Sequence, residues 1–330
     1  MGLPNYYPPL FYWLVALLQH SGLLTFGAAF KTALALPVLL LPAVLWLLAW
    51  RLSGRNRVAA TCAALAAVPL LVDARLTNSA GLIGLSYTST FLLGLYTQPL
   101  GFVLLVGWYV LYTSEGFANR LWRAALAAAL LAPALLANFF SSNIAIPLAL
   151  TTLTQDAWQT LRGGTLAEQR GGRRALLARL LSPLAGVCLT LFWLAPLLGT
   201  YDYVVTRPER VALGNMVPTP LWSWYALAAV GGVLWLRRSP ARAARPFLAS
   251  CALLAAVVFL GGDFAPGWFP SHPPRLAAAL NFMLAAPAGY ALASSPRLVA
   301  RVLGGRPRPS VGGRDGRLGA AHGGWPTSRV

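Results

Sequence analysis

The sequence predicts an all-α protein, a polytopic transmembrane helix bundle of about nine spans preceded by an N-terminal interfacial helix. Three observations predict it. Of 330 residues, 57% are hydrophobic and only 10% charged, whereas a soluble domain carries about a quarter charged residues. Apolar stretches that approach or exceed the ~20 residues of a membrane-crossing helix recur along the chain. Most of the arginines fall between those stretches, in every second connector.

The elements follow in order. Residues 4–14 read PNYYPPLFYWL, an aromatic and proline-rich mix that suits a membrane–water interface. The run 8–20 is too short to span and reads as a helix lying in the interface or dipping into the membrane, so 1–29 form an external interfacial segment. The N-terminus has no basic n-region and no small-residue cleavage site, which excludes a secretory signal peptide. Candidate spans follow at 30–50, 58–72, 97–113, 121–140, 143–160, 180–198, 221–236, 246–262 and 275–293; those at 58–72, 143–160 and 221–236 are short or weak. Residues 1–295 thus form a transmembrane helical domain. The stretch 296–330, rich in Gly, Arg and Pro, reads as a basic, disordered cytoplasmic tail.

Net charge is +18. No nucleic-acid-binding module accompanies it, and membrane orientation explains it better. With 1–29 outside, the inside segments hold Arg51, Arg55 and Arg57; Arg120 and Arg123; Arg162, Arg170, Arg173, Arg174 and Arg179; Arg237, Arg238, Arg242 and Arg245; and the tail arginines. Only Lys31, Arg75, Arg207, Arg210 and Arg275 lie elsewhere. The alternation places the chain in a plasma membrane with its C-terminus cytoplasmic. Cys62, Cys188 and Cys251 sit far apart in apolar runs, read as small buried hydrophobes, and form no metal or disulfide pattern.

Chemistry is expected on the outer face, where the loops are mixed in character. Four of the eight acidic residues fall there: Asp73, Asp202, Glu209 and Asp263. Asp73 and Arg75 follow the end of a predicted helix. The segment 199–218 contributes Asp202, Arg207, Glu209 and Arg210, and 261–275 contributes Asp263, His272 and Arg275. Arginine suits a lipid-linked phosphate because guanidinium binds phosphate oxygens in a bidentate way. An outward carboxylate suits a divalent metal or a proton from an acceptor hydroxyl. Each group also has a plainer reading: a helix cap for Asp73 with Arg75, an exposed ion-pair cluster for Arg207, Glu209 and Arg210, and a loop residue for His272. No phosphate loop, zinc helix or nucleophile elbow is present.

YYPPLFYWLVALL resembles the Y-P-P-L-x-Y-W-L segment of the GT-C superfamily of membrane glycosyltransferases. LTLFWLAPLLGTYDY at 189–203 is similar to the A-F-W-L-x-P-L segment of the superfamily's bacterial membrane-domain branch related to 6-pyruvoyl-tetrahydropterin synthase. FPSHPPRLAAALNFMLAAPAGYAL at 269–292 resembles that branch's later P-x-x-x-R segment. The resemblance implies transfer of a sugar from a polyprenyl-phosphate carrier on the extracytoplasmic face of a bacterial membrane. Asp73 falls at the superfamily's second acidic site. Arg75, Asp202, Arg207, Arg210, His272 and Arg275 are then the substrate-binding candidates. His20, His272 and His322 form no zinc triad, so no pterin chemistry is implied.

In the superfamily a first helix and an acidic external loop precede Y-P-P-L, whereas only MGLPN precedes the motif here. The resemblance therefore implies a chain cut at its N-terminus, with the first catalytic acid absent. The alternative is a non-enzymatic membrane protein, such as a transporter or flippase component for polyprenyl lipids. Ion-coupled transport would predict ionisable residues inside the spans, yet Lys31 and Asp156 lie near span ends.

Overall fold

The computed structural model describes residues 9–72, 85, 90, 97–114, 117, 121–138, 140–162, 166–199, 219–238, 243–264 and 273–303. Among the described residues the fold is all-α, without a strand. In chain order the helices are α1 Leu10–His20, α2 Phe26–Leu52, α3 Arg57–Val72, α4 Thr97–Tyr112, α5 Leu121–Ala137, α6 Phe140–Arg162, α7 Leu166–Cys188, α8 Leu191–Gly199, α9 Thr219–Arg238, α10 Ala244–Phe264, α11 Pro273–Met283 and α12 Ala285–Leu303. The chain divides into a compact unit, Met1–Ser294, and a second unit, Ser295–Val330.

Among the described residues two stretches, Phe26–Leu52 and Leu276–Ser295, are long and apolar enough to cross a membrane, and α1, α3, α4, α5 and much of α10 are shorter apolar helices. Leu41, Leu45 and Leu48 of α2 recur at helical spacing and are buried. They share one core with Ala63 and Ala67 of α3, Phe102 and Trp108 of α4, Leu131 of α5, Phe247 of α10 and Leu280 of α11. The opposite faces carry large apolar side chains in the open, among them Leu39 (61% exposed), Leu65, Ile146, Leu150, Phe192 and Val230.

α1 packs on the bundle through one face. Phe11 and Val15 are buried against Ala29, Ala33 and Leu34 of α2, Leu100 of α4 and Ala137 of α5. Thr25 caps α2, its hydroxyl accepting from Ala28 N at 3.4 Å. At the other end Gly54, with φ +69°, closes α2 in a left-handed turn, and Arg55 N donates to Trp50 O at 2.8 Å.

Two predicted spans differ in detail. The span at 180–198 is interrupted at Leu189–Thr190, where the Thr190 hydroxyl donates to Val187 O at 2.7 Å. Its helix also starts earlier, at Leu166, because the connector is built from good helix formers such as Ala, Leu, Glu and Arg. The span at 275–293 is divided at Leu284; Pro287 has no N–H to return to the carbonyl of Met283. The bonds Leu284 N→Leu280 O and Ala288 N→Leu284 O carry the rod across the interruption. One cysteine departs from the buried reading: Cys251 is buried and Cys62 half-buried, but Cys188 is exposed on the surface of α7.

Candidate functional site

Polar contacts sort the helix ends into two groups. At one end Arg51 of α2 donates to Thr113 O just past α4 (3.0 Å), and Trp235 Nε1 of α9 donates to Leu52 O (3.0 Å). Tyr112 OH, at the last residue of α4, donates to Arg179 O of α7 (3.0 Å), and Ser182 Oγ donates to Ala124 O in the first turn of α5 (3.0 Å). Arg179 forms an ion pair with Asp156 of α6, the two side chains 17% and 16% exposed. This pairing compensates two charges that would otherwise be costly to desolvate. Arg51, Arg162, Arg237 and Arg238 all lie in last turns, so this is the basic end.

The opposite end gathers neutral polar side chains. Asn138, just past α5, donates from Nδ2 to Thr97 Oγ1 at 3.5 Å, and its Oδ1 accepts from Phe140 N at 2.9 Å. Gly101 lets α4 approach here: a Cβ in its place would stand 2.6 Å from Ser141 Oγ. Gln98, Asn138 and Ser141 line a cavity of about 10 Å³ with Phe102, Ile144 and Leu276. That is space for about one water and far too little for a sugar ring. Connecting segments join the helices at this end.

Those segments carry the residues singled out in the sequence. α3 ends at Val72 and α4 starts at Thr97; α8 ends at Gly199 and α9 starts at Thr219; α10 ends at Phe264 and α11 starts at Pro273. Asp73, Arg75, Asp202, Arg207, Arg210 and His272 lie in these intervals, outside the described residues. Arg275 belongs to the first turn of α11, next to the buried Leu276; its side chain is outside the described set. Of these ends the structure brings the starts of α4 and α11 together, Gln98 and Leu276 lining one cavity. Among the described residues no group of three or more His, Cys, Asp or Glu could hold a metal ion.

Several polar residues escaped the sequence reading. Asn281 of α11 is fully buried; its Oδ1 accepts from Tyr225 OH at 2.5 Å, and its backbone carbonyl accepts from Trp224 Nε1 at 3.3 Å. The signal was present: Gln98, Asn138 and Asn281 interrupt apolar runs, where a polar group must find a partner within the protein. No protein-family model, no curated protein and no solved structure matches the chain.

Proposed function

We propose that the chain is a polytopic bacterial plasma-membrane protein of about nine spans that handles a polyprenyl-phosphate-linked sugar at its non-basic end. In this reading it is a GT-C-like glycosyltransferase. Asp73 takes a proton from the acceptor hydroxyl or holds a divalent cation, and Arg75, Arg207, Arg210 and Arg275 hold the phosphate, with Asp202 and His272 beside them.

The observation that carries the reading is the chemical difference between the two ends across an apolar exposed belt. Arginine-bearing last turns gather at one end. At the other end the helices are joined by the segments that contain the carboxylates, arginines and histidine named above. Exposed Leu39, Leu65, Ile146, Leu150 and Val230 occupy the surface in between, which suits lipid and is rare as a continuous surface in water. The basic end is then cytoplasmic.

The test is transfer of a radiolabelled sugar from a polyprenyl-phosphate donor, using membranes that contain the full chain. Asp73→Ala is expected to lower transfer at least about a hundredfold, the lower range of general acid–base contributions. Equal transfer by the variant would remove Asp73 from the mechanism. Donor binding without transfer in the unmodified protein would favour the carrier-handling alternative.

A further inference from the structure

α6 and α7 form an antiparallel hairpin that extends past the basic ends of α4 and α5. Gly172 of α7 lies so close to α6 that a Cβ would stand 2.5 Å from Thr160 Oγ1, and Arg179 pairs with Asp156 four residues earlier on α6. Arg179 is level with Tyr112, the last residue of α4, through the hydrogen bond to its carbonyl. Three residues on, Ser182 is bonded to the first turn of α5. The part of α7 before Arg179 therefore continues beyond the ends of α4 and α5. At about 1.5 Å per residue it projects by roughly 20 Å.

This projection carries two kinds of exposed side chain. Trp158, Leu161 and Leu177 are exposed, Leu161 by 80%. Arg162, Arg173 and Arg174 are exposed as well. The Arg162 guanidinium lies over the Trp158 ring, 4.1 Å from its centroid, and Arg123 repeats the arrangement over Trp122 at 5.5 Å. The carboxylate of Asp156 is already taken by Arg179; Glu168, whose side chain is outside the described residues, is the only other acid between 156 and 179. Arginine outnumbers acid here.

We infer that the α6–α7 hairpin is a binding surface for anionic phospholipid. Trp158, Leu161 and Leu177 meet the acyl boundary, and Arg162, Arg173 and Arg174 hold headgroup phosphates. The inference rests on the membrane reading above. Apolar bodies flanked by cations are what an interfacial element needs: the indole and leucines leave water while each guanidinium stays at phosphate depth. Guanidinium grips phosphate with two parallel hydrogen bonds, and an anionic leaflet attracts clustered arginines additively.

The test reconstitutes the full chain in nanodiscs of mixed phosphatidylcholine and phosphatidylglycerol and measures lipid retained after detergent extraction. Phosphatidylglycerol should be enriched roughly fivefold over its bulk share, about what one arginine at an anionic surface supplies. R162Q/R173Q/R174Q should abolish the enrichment, and R237Q/R238Q at the same end should keep it. Raising salt to about 1 M should also collapse the enrichment in the unmodified protein, where the Debye length falls to ~3 Å; that arm depends on no variant folding. Enrichment unchanged in the triple variant or at high salt overturns the inference, as does its loss in R237Q/R238Q alike. A chain that stays out of the nanodiscs altogether overturns the membrane reading itself, and is told apart by co-fractionation with lipid.

Discussion

The two stretches long and apolar enough to cross a bilayer occupy opposite surroundings. Phe26–Leu52 has a mean hydropathy of 2.3 and is 44% buried within the protein, whereas Leu276–Ser295 has 1.5 and is 83% buried. In a protein built for water the better-buried helix should be the more apolar one. Here the order is reversed. The peripheral helix turns Leu36, Leu39 and Leu40 to the outside, and the central one carries Ala277, Ala278, Ala279, Ala285, Ala286, Ala288 and Gly289 among its buried residues. Small residues in the middle let backbones approach closely, the means by which helices associate where lipid is as apolar as leucine.

The largest expected effect breaks or confirms the peripheral half of that contrast. Leu39 lies in the middle of α2 and is 61% exposed. If its surroundings are acyl chains, Leu39→Asp should cost about 3–4 kcal/mol of insertion free energy. In water an exposed substitution of this kind would fall within about 0.5 kcal/mol. The fraction of protein resisting carbonate extraction from membranes reads the difference, and an unchanged fraction would place this face in water.

The central half is tested by adding volume. A Cβ at Gly289 of α12 would clash with the backbone of Ala63 in α3, so any larger residue must push the helices apart. Gly289→Leu should cost about 3 kcal/mol, seen as a lower unfolding temperature in neutral detergent. Leu292→Ala, on the exposed face of the same helix, serves as the control and should shift it little. A smaller loss is expected from Tyr225→Phe. It removes the hydroxyl at 2.5 Å from Asn281 Oδ1 and leaves a fully buried amide oxygen without that donor. About 1–2 kcal/mol follows from leaving such a group unsatisfied, read by the same melting experiment; Asn281→Leu in the Tyr225→Phe background should recover part of it.

The helices were legible in the sequence because most of the apolar runs are longer than a strand, and helical structure overlies all nine predicted runs, the three short or weak ones included. Their interruptions were less so. Thr190 divides α7 from α8 by a local hydroxyl bond, and Pro287 divides α11 from α12 by a missing donor; both effects are weaker than the hydropathy of the surrounding run. The basic end was legible because charge alternation depends only on counting arginines. What joins the helices was not: Asn138 and Asn281 act through Thr97, Trp224 and Tyr225, partners distant in sequence, which periodicity cannot pair. A search led by charge passed over them. The charged candidates themselves, from Asp73 to His272, sit in connecting segments, where no repeating pattern constrains geometry.

The smallest effect concerns the junction of α6 and α10. Ser250 of α10 is fully buried, its Oγ 2.8 Å from Pro246 O and 3.2 Å from Pro147 O of α6. Thr151 of α6 donates to the same Pro147 carbonyl at 2.8 Å and shares a 2.6 Å hydrogen bond with Ser250. Two hydroxyls thus join α6 to α10 where Pro147 interrupts the helical hydrogen-bond ladder. Hydroxyl bonds between helices in lipid are worth only about 0.6 kcal/mol on average, because the separated helices also find partners. Ser250→Ala should therefore lower stability by roughly that amount, and the double variant with Thr151→Ala should cost less than the two single losses added together, since they remove one shared bond. Strict additivity in a double-mutant cycle would show that the two hydroxyls act separately, each on its own helix, and that α6 and α10 are held by packing alone.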